Sequence, residues 1–470
     1  MTPHAAQYQQ PARTRRDQHL VLYFLALAAT SLFFTGCKAL APKSEKAAQE
    51  DLRQVSETYR PHGEKPALPE LDPDSGLSNY LTYALLNQPR VASAYHDWAA
   101  SVERITVERS LPDPTLGFQS DISDVVMTVM PGIMQMFPGP GKLRARANLA
   151  AAESQTRYFM FESAVLEAAF DLKRSFYELH FLDERIRINE ENLALLTELE
   201  QLARAQNEAG KVTLQDVLRA QIERDRVEID LANLRDSRRP LTAAFKGALG
   251  MTRAQPDPPV PTGFESTPLE LHDDALLELA FNRNPKLKAI ESNVRTMQAD
   301  IAVAYKENVP DFSLGVMADV KANPIIVRPL AGMTVPIWRD KIAAGVARAK
   351  ARELSAQSRL TQEQIELTVM VAEKTFRYRE LTRNFALLQN QLIPKAGLSV
   401  DIAQAGYLSG QIDFFNLIDA QRQHLALQLE EVEARTRREI VLAELSLLIA
   451  GLPPEGAPLL NSSLGFTDTE

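Results

Sequence analysis

The chain has a single cysteine, Cys37, among its 470 residues, which rules out an internal disulfide. It also lacks the spacings that carry chemistry. Its seven histidines (His4, His19, His62, His96, His180, His272 and His424) never fall at metal-ligand spacing, and there is no H-E-x-x-H, G-x-S-x-G or glycine-rich phosphate loop. The expectation is a non-enzyme with no catalytic residue, no metal site and no cofactor other than a covalent lipid. A basic patch is missing too: the charge balance is mildly acidic, with a formal net charge of −9, and no basic run occurs beyond the N-terminus, so nucleic acid is not an expected partner. Glycine and proline are absent from the whole stretch between Gly141 and Gly210. As one helix that stretch is roughly 100 Å long at 1.5 Å per residue. No compact domain needs such a rod.

What is present begins with an export signal over residues 1–36. Arg13, Arg15 and Arg16 form a basic start, and the apolar run from Leu20 to Phe34 is short for a membrane span. Thr35-Gly36-Cys37 follows at once, and small residues directly before a cysteine at this place resemble the lipobox of bacterial lipoproteins. The reading is lipidation at Cys37; the alternative is a plain signal peptide or short anchor with an accidental cysteine. Residues 37–76, with Pro42, Pro61, Pro66, Pro69 and Pro73, read as an extended tether.

The remainder is a tandem duplication. Gly210-Lys211-Val212-Thr213-Leu214-Gln215-Asp216 through Ala220-Gln221 comes back as Gly410-Gln411-Ile412-Asp413-Phe414-Phe415-Asn416 through Ala420-Gln421. Each copy is a polar helical run, a glycine able to end a helix in the left-handed conformation, a few extended residues and a new helix with apolar residues at 3.6 spacing. Each is therefore a helical hairpin tip. Other landmarks repeat at nearly the same offset: Asn87-Gln88-Pro89 with Asn284-Pro285, Leu111-Pro112-Asp113 with Val309-Pro310-Asp311, and Phe137-Pro138 with Val335-Pro336. A period this long means two structural halves, 77–250 and 274–452, joined by a proline-rich linker at 251–273 and followed by a patternless, flexible tail at 453–470.

Within each half the expected order is helix, strand pair, long helix, tip and return helix. The helical pattern from Leu77 to Ser110 is interrupted at Pro89. Thr115 to Pro138 reads as two short strands broken by Pro131-Gly132, and the second pair as Asp311 to Val320 and Arg328 to Ile337. In the second, Phe312, Leu314, Val316, Ala318 and Val320 alternate with Ser313, Gly315, Met317 and Asp319, as a wall with one lipid face and one wet face requires. In the first long helix Leu172, Leu179, Ile186 and Leu193 form one heptad row, and Phe181, Ile188, Leu195 and Leu202 a second, about 200° round. Two seams imply helical neighbours on both sides. Pro394 is expected to bend or overwind the second long helix near Leu392.

Leu392-Ile393-Pro394-Lys395-Ala396, followed by Gly406-Tyr407-Leu408-Ser409-Gly410, together with the duplication and the cysteine-terminated signal, resembles the TolC-like outer-membrane efflux protein family. Gln135-Met136-Phe137-Pro138-Gly139-Pro140-Gly141-Lys142 is similar to the strand-to-helix junction of the branch serving cation-exporting, resistance-nodulation-division pumps. The resemblance implies a mainly α fold with a small β part. Duplicated long-helix hairpins would form a trimeric α-barrel, capped by a twelve-stranded transmembrane β-barrel built from four strands per chain. It implies as partners a homotrimer, a periplasmic adaptor, an inner-membrane pump and outer-membrane lipid. The protein would then be a passive exit duct, anchored in the outer membrane and reaching into the periplasm. It places the adaptor contact at Gly210, Val212, Leu214, Gly410, Ile412 and Phe414, and the gate at Asp216, Tyr407, Asn416 and Asp419. A Tyr407 to Asp216 latch and a ring of Asp419 are expected, while Ile412 stands where the family's gate has an arginine. The plainer reading of the same residues makes Asp216 a helix-start residue and packs Tyr407 in a seam.

Two alternatives remain, a non-conducting coiled-coil spacer lipoprotein and an exit duct for type I protein secretion. The strand pairs separate the spacer from a duct, because a spacer needs none. Met127, Met130, Met134, Met136, Met317 and Met333 cluster in the strand segments. Thioethers suit Cu(I) or Ag(I), and methionine also fills irregular gaps. The cargo reads first as metal ions, next as small organic compounds.

Overall fold

The computed structural model describes residues 42–121, 128–261 and 273–449. Cys37 with its signal, Met127 and the tail lie outside them. The described chain runs α1 (Lys43–Tyr59), α2 (Leu77–Asn87), α3 (Pro89–Arg109), β1 (Thr115–Gln119), β2 (Met130–Phe137), α4 (Lys142–Glu208), α5 (Leu214–Ala248), α6 (Asp273–Arg283), α7 (Pro285–Lys306), β3 (Phe312–Asp319), β4 (Ile326–Met333), α8 (Arg339–Leu387), a π-helical turn (Leu388–Leu392), α9 (Ile393–Leu408) and α10 (Phe414–Leu448). The duplication is thus an architectural one. Each half is a pair of short helices, a β-hairpin, one long helix line and a return helix.

The repeated asparagines have a structural reason. Gly250 ends the first return helix in the left-handed conformation (φ 69°), and the Asn87 amide donates to the Leu249 carbonyl at 2.7 Å. In the second half the Asn284 amide donates to the Leu448 carbonyl at 3.0 Å. Each asparagine satisfies a carbonyl left open where a return helix stops, and so stacks short helix on return helix end to end. The stacked pair is shorter than the long helix beside it: α3 and α5 have 21 and 35 residues against 67 in α4.

The helices form a wall. Near the tips the order is α8/α9, α10, α4, α5; toward the sheet it is α8, α7, α4, α3. On α4 both heptad rows are at least half-buried. Asp183 and Glu190 pair with Arg238 and Arg235 of α5, and Arg435 of α10 lies over the Phe181 ring, 5.0 Å from its centroid. Pro394 acts at its expected place, but the helix widens into a π turn, closed by the Ile393 amide on the Leu388 carbonyl. It is underwound, not overwound, because proline withholds an amide from the preceding turn and the chain relieves this with one extra residue.

The extended tether is not what forms after Pro42. Residues 43–59 are helical because Val55 and Tyr59 dock in a core with Trp98, Val102, Phe161 and Val165. Glu45, fully buried, accepts from the Thr106 hydroxyl at 2.7 Å and pairs with Arg109 Nε at 2.6 Å. The prolines act only further on, keeping residues 64–72 free of helix and strand.

The four strands form one antiparallel sheet in the order β1-β2-β3-β4. Pro131-Gly132 does not break β2; pairing with β3 starts only at Gly132, so Pro131 withholds no rung on that side. The last strand sits nearer the N-terminus than expected, because the Thr334 amide bonds the Asp311 carbonyl at 2.8 Å and Pro336 cannot continue the ladder. Opposed residues share a face. Leu116, Ile133, Val316 and Pro329 align across one face, with Phe118, Phe137, Phe312, Leu314 and Val327 beside them. Its one polar member, Gln135, turns its amide to the Pro112 and Met136 carbonyls. The other face carries Thr115, Gln119, Ser313, Asp319 and Arg328 among glycines and methionines, with Ile326 and Leu330 on β4.

Sheet and rod meet at Asp311. Its carboxylate accepts from the Gly139 amide at 2.7 Å and the buried Lys142 ammonium at 2.8 Å. Burial alone would raise its pKa, but the Lys142 and Gly139 bonds outweigh that and hold it below the usual carboxylate range. Gly139 leaves no room for a Cβ against the Pro310 carbonyl, and Gly141 is left-handed (φ 82°). Asp311→Ala strands the Lys142 ammonium and is expected to cost about 2–4 kcal/mol, seen as a lower denaturation midpoint in detergent. Adding Lys142→Met is expected to recover part of that loss; an unchanged midpoint for Asp311→Ala contradicts the assignment.

Candidate functional site

The two tips are built alike. Gly210 and Gly410 are left-handed (φ 71° and 76°). In the first, the Lys211 amide bonds the Gln206 carbonyl and the Gly210 amide that of Asn207; in the second, the pairs are Gln411 to Gly406 and Gly410 to Tyr407. This is the Schellman closure, which satisfies helix-end carbonyls and needs the residue without a Cβ. The next helix starts at once. Thr213 and Asp216 form a reciprocal capping box on α5, and the Asp413 carboxylate accepts the Asn416 amide at 2.9 Å at the start of α10.

Behind the tips the two hairpins share one apolar cluster. Leu196, Leu199 and Ala203 of α4, Val217 and Ala220 of α5, Val400 and Tyr407 of α9, and Phe414 and Leu417 of α10 belong to it. Val212 packs against its margin, and Ile412 fills the space that Gly406 leaves empty. Leu214 is exposed, so it is available to a partner. Phe414 is not: it is 1 % exposed and packs edge-on beneath Tyr407, with ring centroids 5.3 Å apart. The expected surface contact therefore moves to Phe415, about half-exposed with Arg219 over its ring.

The expected Tyr407 to Asp216 latch is not made within the chain. Asp216 Oδ2 is taken by the Thr213 amide at 3.1 Å and hydroxyl at 3.0 Å, and the buried Tyr407 hydroxyl has no hydrogen-bond partner. Burial, then the nearby Asp216 charge, pushes the Tyr407 phenol up. Asn416 and Asp419 are exposed, one turn apart on α10.

A different pair joins the hairpins. Arg422 of α10 grips Glu223 of α5 with both Nε (2.6 Å to Oε2) and Nη2, and Arg226 Nη1 reaches the same carboxylate at 3.2 Å. Glu223 is largely buried, so this charge-assisted fork is poorly screened. Below it Glu200 of α4 takes Gln221, Arg204 and Arg224. The Gln221 amide has the largest effect, and with Arg204 and Arg224 it outweighs the cost of burial and holds the carboxylate below the usual range. Sequence reasoning missed the Glu223–Arg422 pair. The signal was opposite charges one register apart in the two aligned copies, visible only once the copies are known to lie side by side.

Among the described residues no group of histidine, cysteine, aspartate and glutamate could hold a metal ion, and no helix is long and apolar enough to cross a membrane. The model of the Outer membrane efflux protein family matches residues 81–251 and 276–451, the two halves traced above. The chain belongs to that family. It is an outer-membrane exit duct of the tripartite efflux class, a passive conduit and not an enzyme. It is 23% identical over 295 residues to the cobalt-zinc-cadmium resistance protein CzcC of Cupriavidus metallidurans, covering 60% of this chain and 67% of that one. In fold it is similar to a membrane protein from Pseudomonas aeruginosa (TM-score 0.71, 19% identity, 83% of this chain and 96% of that one). It is also similar to the outer membrane protein VceC of Vibrio cholerae (TM-score 0.68, 16% identity, 80% and 96%).

Glu223→Gln keeps the shape and removes the charge that Arg422 and Arg226 share. Amide hydrogen exchange around the second tip is expected to quicken about tenfold, with the sheet end unchanged. Equal exchange in both proteins contradicts a joining role for the pair.

Proposed function

We propose that three copies of the chain close into one duct, with a twelve-stranded barrel in the outer membrane continuing into a periplasmic tunnel of helices. The observation that carries this is the state of the wall's two edges. Along α5 the apolar side chains Leu214, Leu218, Ile222 and Ile229 are bare, and along α8/α9 so are Ile365, Val369, Phe376, Leu398 and Ile402. Inside the chain α4 of the first half packs on α7 and α10 of the second. The duplication supplies the same match outward, α8/α9 of one copy against α3 and α5 of the next. The sheet follows suit, with β1 and β4 as open edges and one apolar face. A spacer has no use for such a sheet.

Lipidation at Cys37 fits the position of α1. The Glu45–Arg109 pair holds its start beside the end of α3, a few residues before β1. Six residues can span at most about 20 Å, a length sufficient for a lipid at Cys37 to reach a membrane at the sheet end. The tips, with Gly210, Val212, Leu214, Gly410 and Ile412 and with Phe415 in place of Phe414, meet a periplasmic adaptor that recruits an inner-membrane pump. The gate lies there too. Asn416 and Asp419 face the pore, Tyr407 and Asp216 shape the hinge, and Glu223–Arg422 keeps the two hairpins together in the closed state. Metal cations are the proposed cargo, supported by the relative named for cobalt, zinc and cadmium resistance.

Single-channel recording of the purified protein in planar bilayers tests this. Wild type is expected to be mostly closed, and Arg422→Met to raise its open fraction severalfold, since Arg422 is half-exposed and Arg226 still holds Glu223 when it is removed. Asp216→Ala with Tyr407→Phe is expected to have a smaller effect. Absence of conductance from folded protein would sink the duct.

A further inference from the structure

Met130, Met134 and Met136 are alternate residues of β2, and Met317 is their neighbour on β3. The register puts all four on the polar face of the sheet; Met333, opposite Phe312, is on the apolar face. Met317 is paired with Gly132, and its Cγ lies where a Gly132 side chain would begin. That glycine sits midway between Met130 and Met134 on the same face of the strand. The three methionines therefore form a triangle round Gly132, into whose side-chain space Met317 reaches. Diagonal neighbours across antiparallel strands are about 7–8 Å apart at Cα, within reach of long side chains. Gly315, opposite Met134, leaves that side chain equally unobstructed.

We propose that Met130, Met134 and Met317 form a three-thioether site for a soft monovalent cation, Cu(I) or Ag(I), on the inner face of the barrel. The inner placement rests on the duct reading above, in which the face with Arg328, Asp319 and Gln119 turns from lipid to water. Thioethers carry no charge and lose no proton, so the site selects by softness and geometry. Cu(I) and Ag(I) accept three sulfur ligands; zinc and cobalt ions prefer imidazole, thiolate or carboxylate, none of which the triangle offers. Met130 is buried, Met317 half-buried and Met134 exposed, so one side of the site is backed by protein and the other open. Arg328, opposite Met317 on its far side, opposes a cation, and Asp319 further along β3 offsets it. Met136 continues the same face toward the helices, giving a released ion a next sulfur to visit. A buried apolar filler would serve as well with leucine, and that substitution is the test.

The full-length protein in detergent is titrated with Cu(I) against a chromophoric Cu(I) chelator, and separately with Ag(I) and Zn(II) alone. One Cu(I) per chain is expected, with all-sulfur coordination in X-ray absorption and no matching Zn(II) site. Met130→Leu, Met134→Leu and Met317→Leu conserve volume. Each is expected to weaken Cu(I) at least about tenfold, Met136→Leu by less, while Arg328→Gln tightens it. The metal-free conductance of the leucine variants is expected to match wild type, so a loss of binding is read apart from a loss of the duct. Should the folded wild type fail to bind Cu(I), or the three variants bind it as tightly as wild type, the site is overturned whether or not the channel conducts. Conductance missing from wild type with Cu(I) bound overturns the inner placement and leaves the triangle.

Discussion

A strand in hydrocarbon cannot leave an amide or carbonyl unpaired, because nothing there but protein can satisfy it. The four strands of this chain have two open edges, β1 and β4, so the sheet is stable in a membrane only when further copies close it. That constraint reaches the rest of the molecule. Copies that meet at strand edges must also meet along the helices that continue them, and the bare apolar rows on α5 and α8/α9 are what such a meeting covers. The internal duplication is consistent with the proposed closure, in which the contact between chains would be a version of the packing seen between the halves of one chain.

The sheet is tied to the long helix at one point. There Asp311 gathers an amide from Gly139, an ammonium from Lys142 and both backbone partners at Thr334. At the far end the order is reversed, with an apolar cluster fastened by a small number of buried charges. Under the proposed gating such ion pairs suit the joint, since water can replace each partner if the hairpins separate, whereas an exposed apolar seam could not be left open at similar cost.

Much of this was legible in the chain. Two heptad rows on one helix implied two neighbours, glycines in matched polar runs implied tips, and the alternation from Phe312 to Val320 implied a two-faced strand. What escaped depended on partners distant in sequence. The helix from Lys43 to Tyr59 was hidden by surrounding prolines and exists because Tyr59 finds Tyr95 and Phe161. Phe414 and Phe415 are indistinguishable by composition, and only the position of Tyr407 decides which is buried. Asp216 looked like a latch residue and is held by its own helix start, while the joining carboxylate is Glu223, two helical turns further along. The end of β4 moved because Thr334 closes on Asp311, a pairing no local pattern announces.

As proposed, the chain is one third of a closed duct. Native mass spectrometry of the protein extracted from membranes in mild detergent measures this directly. A single species of three chains, each lacking residues 1–36 and carrying a lipid mass at Cys37, is the expected result. A monomer retaining its signal, or a ladder of open-ended assemblies, would contradict it.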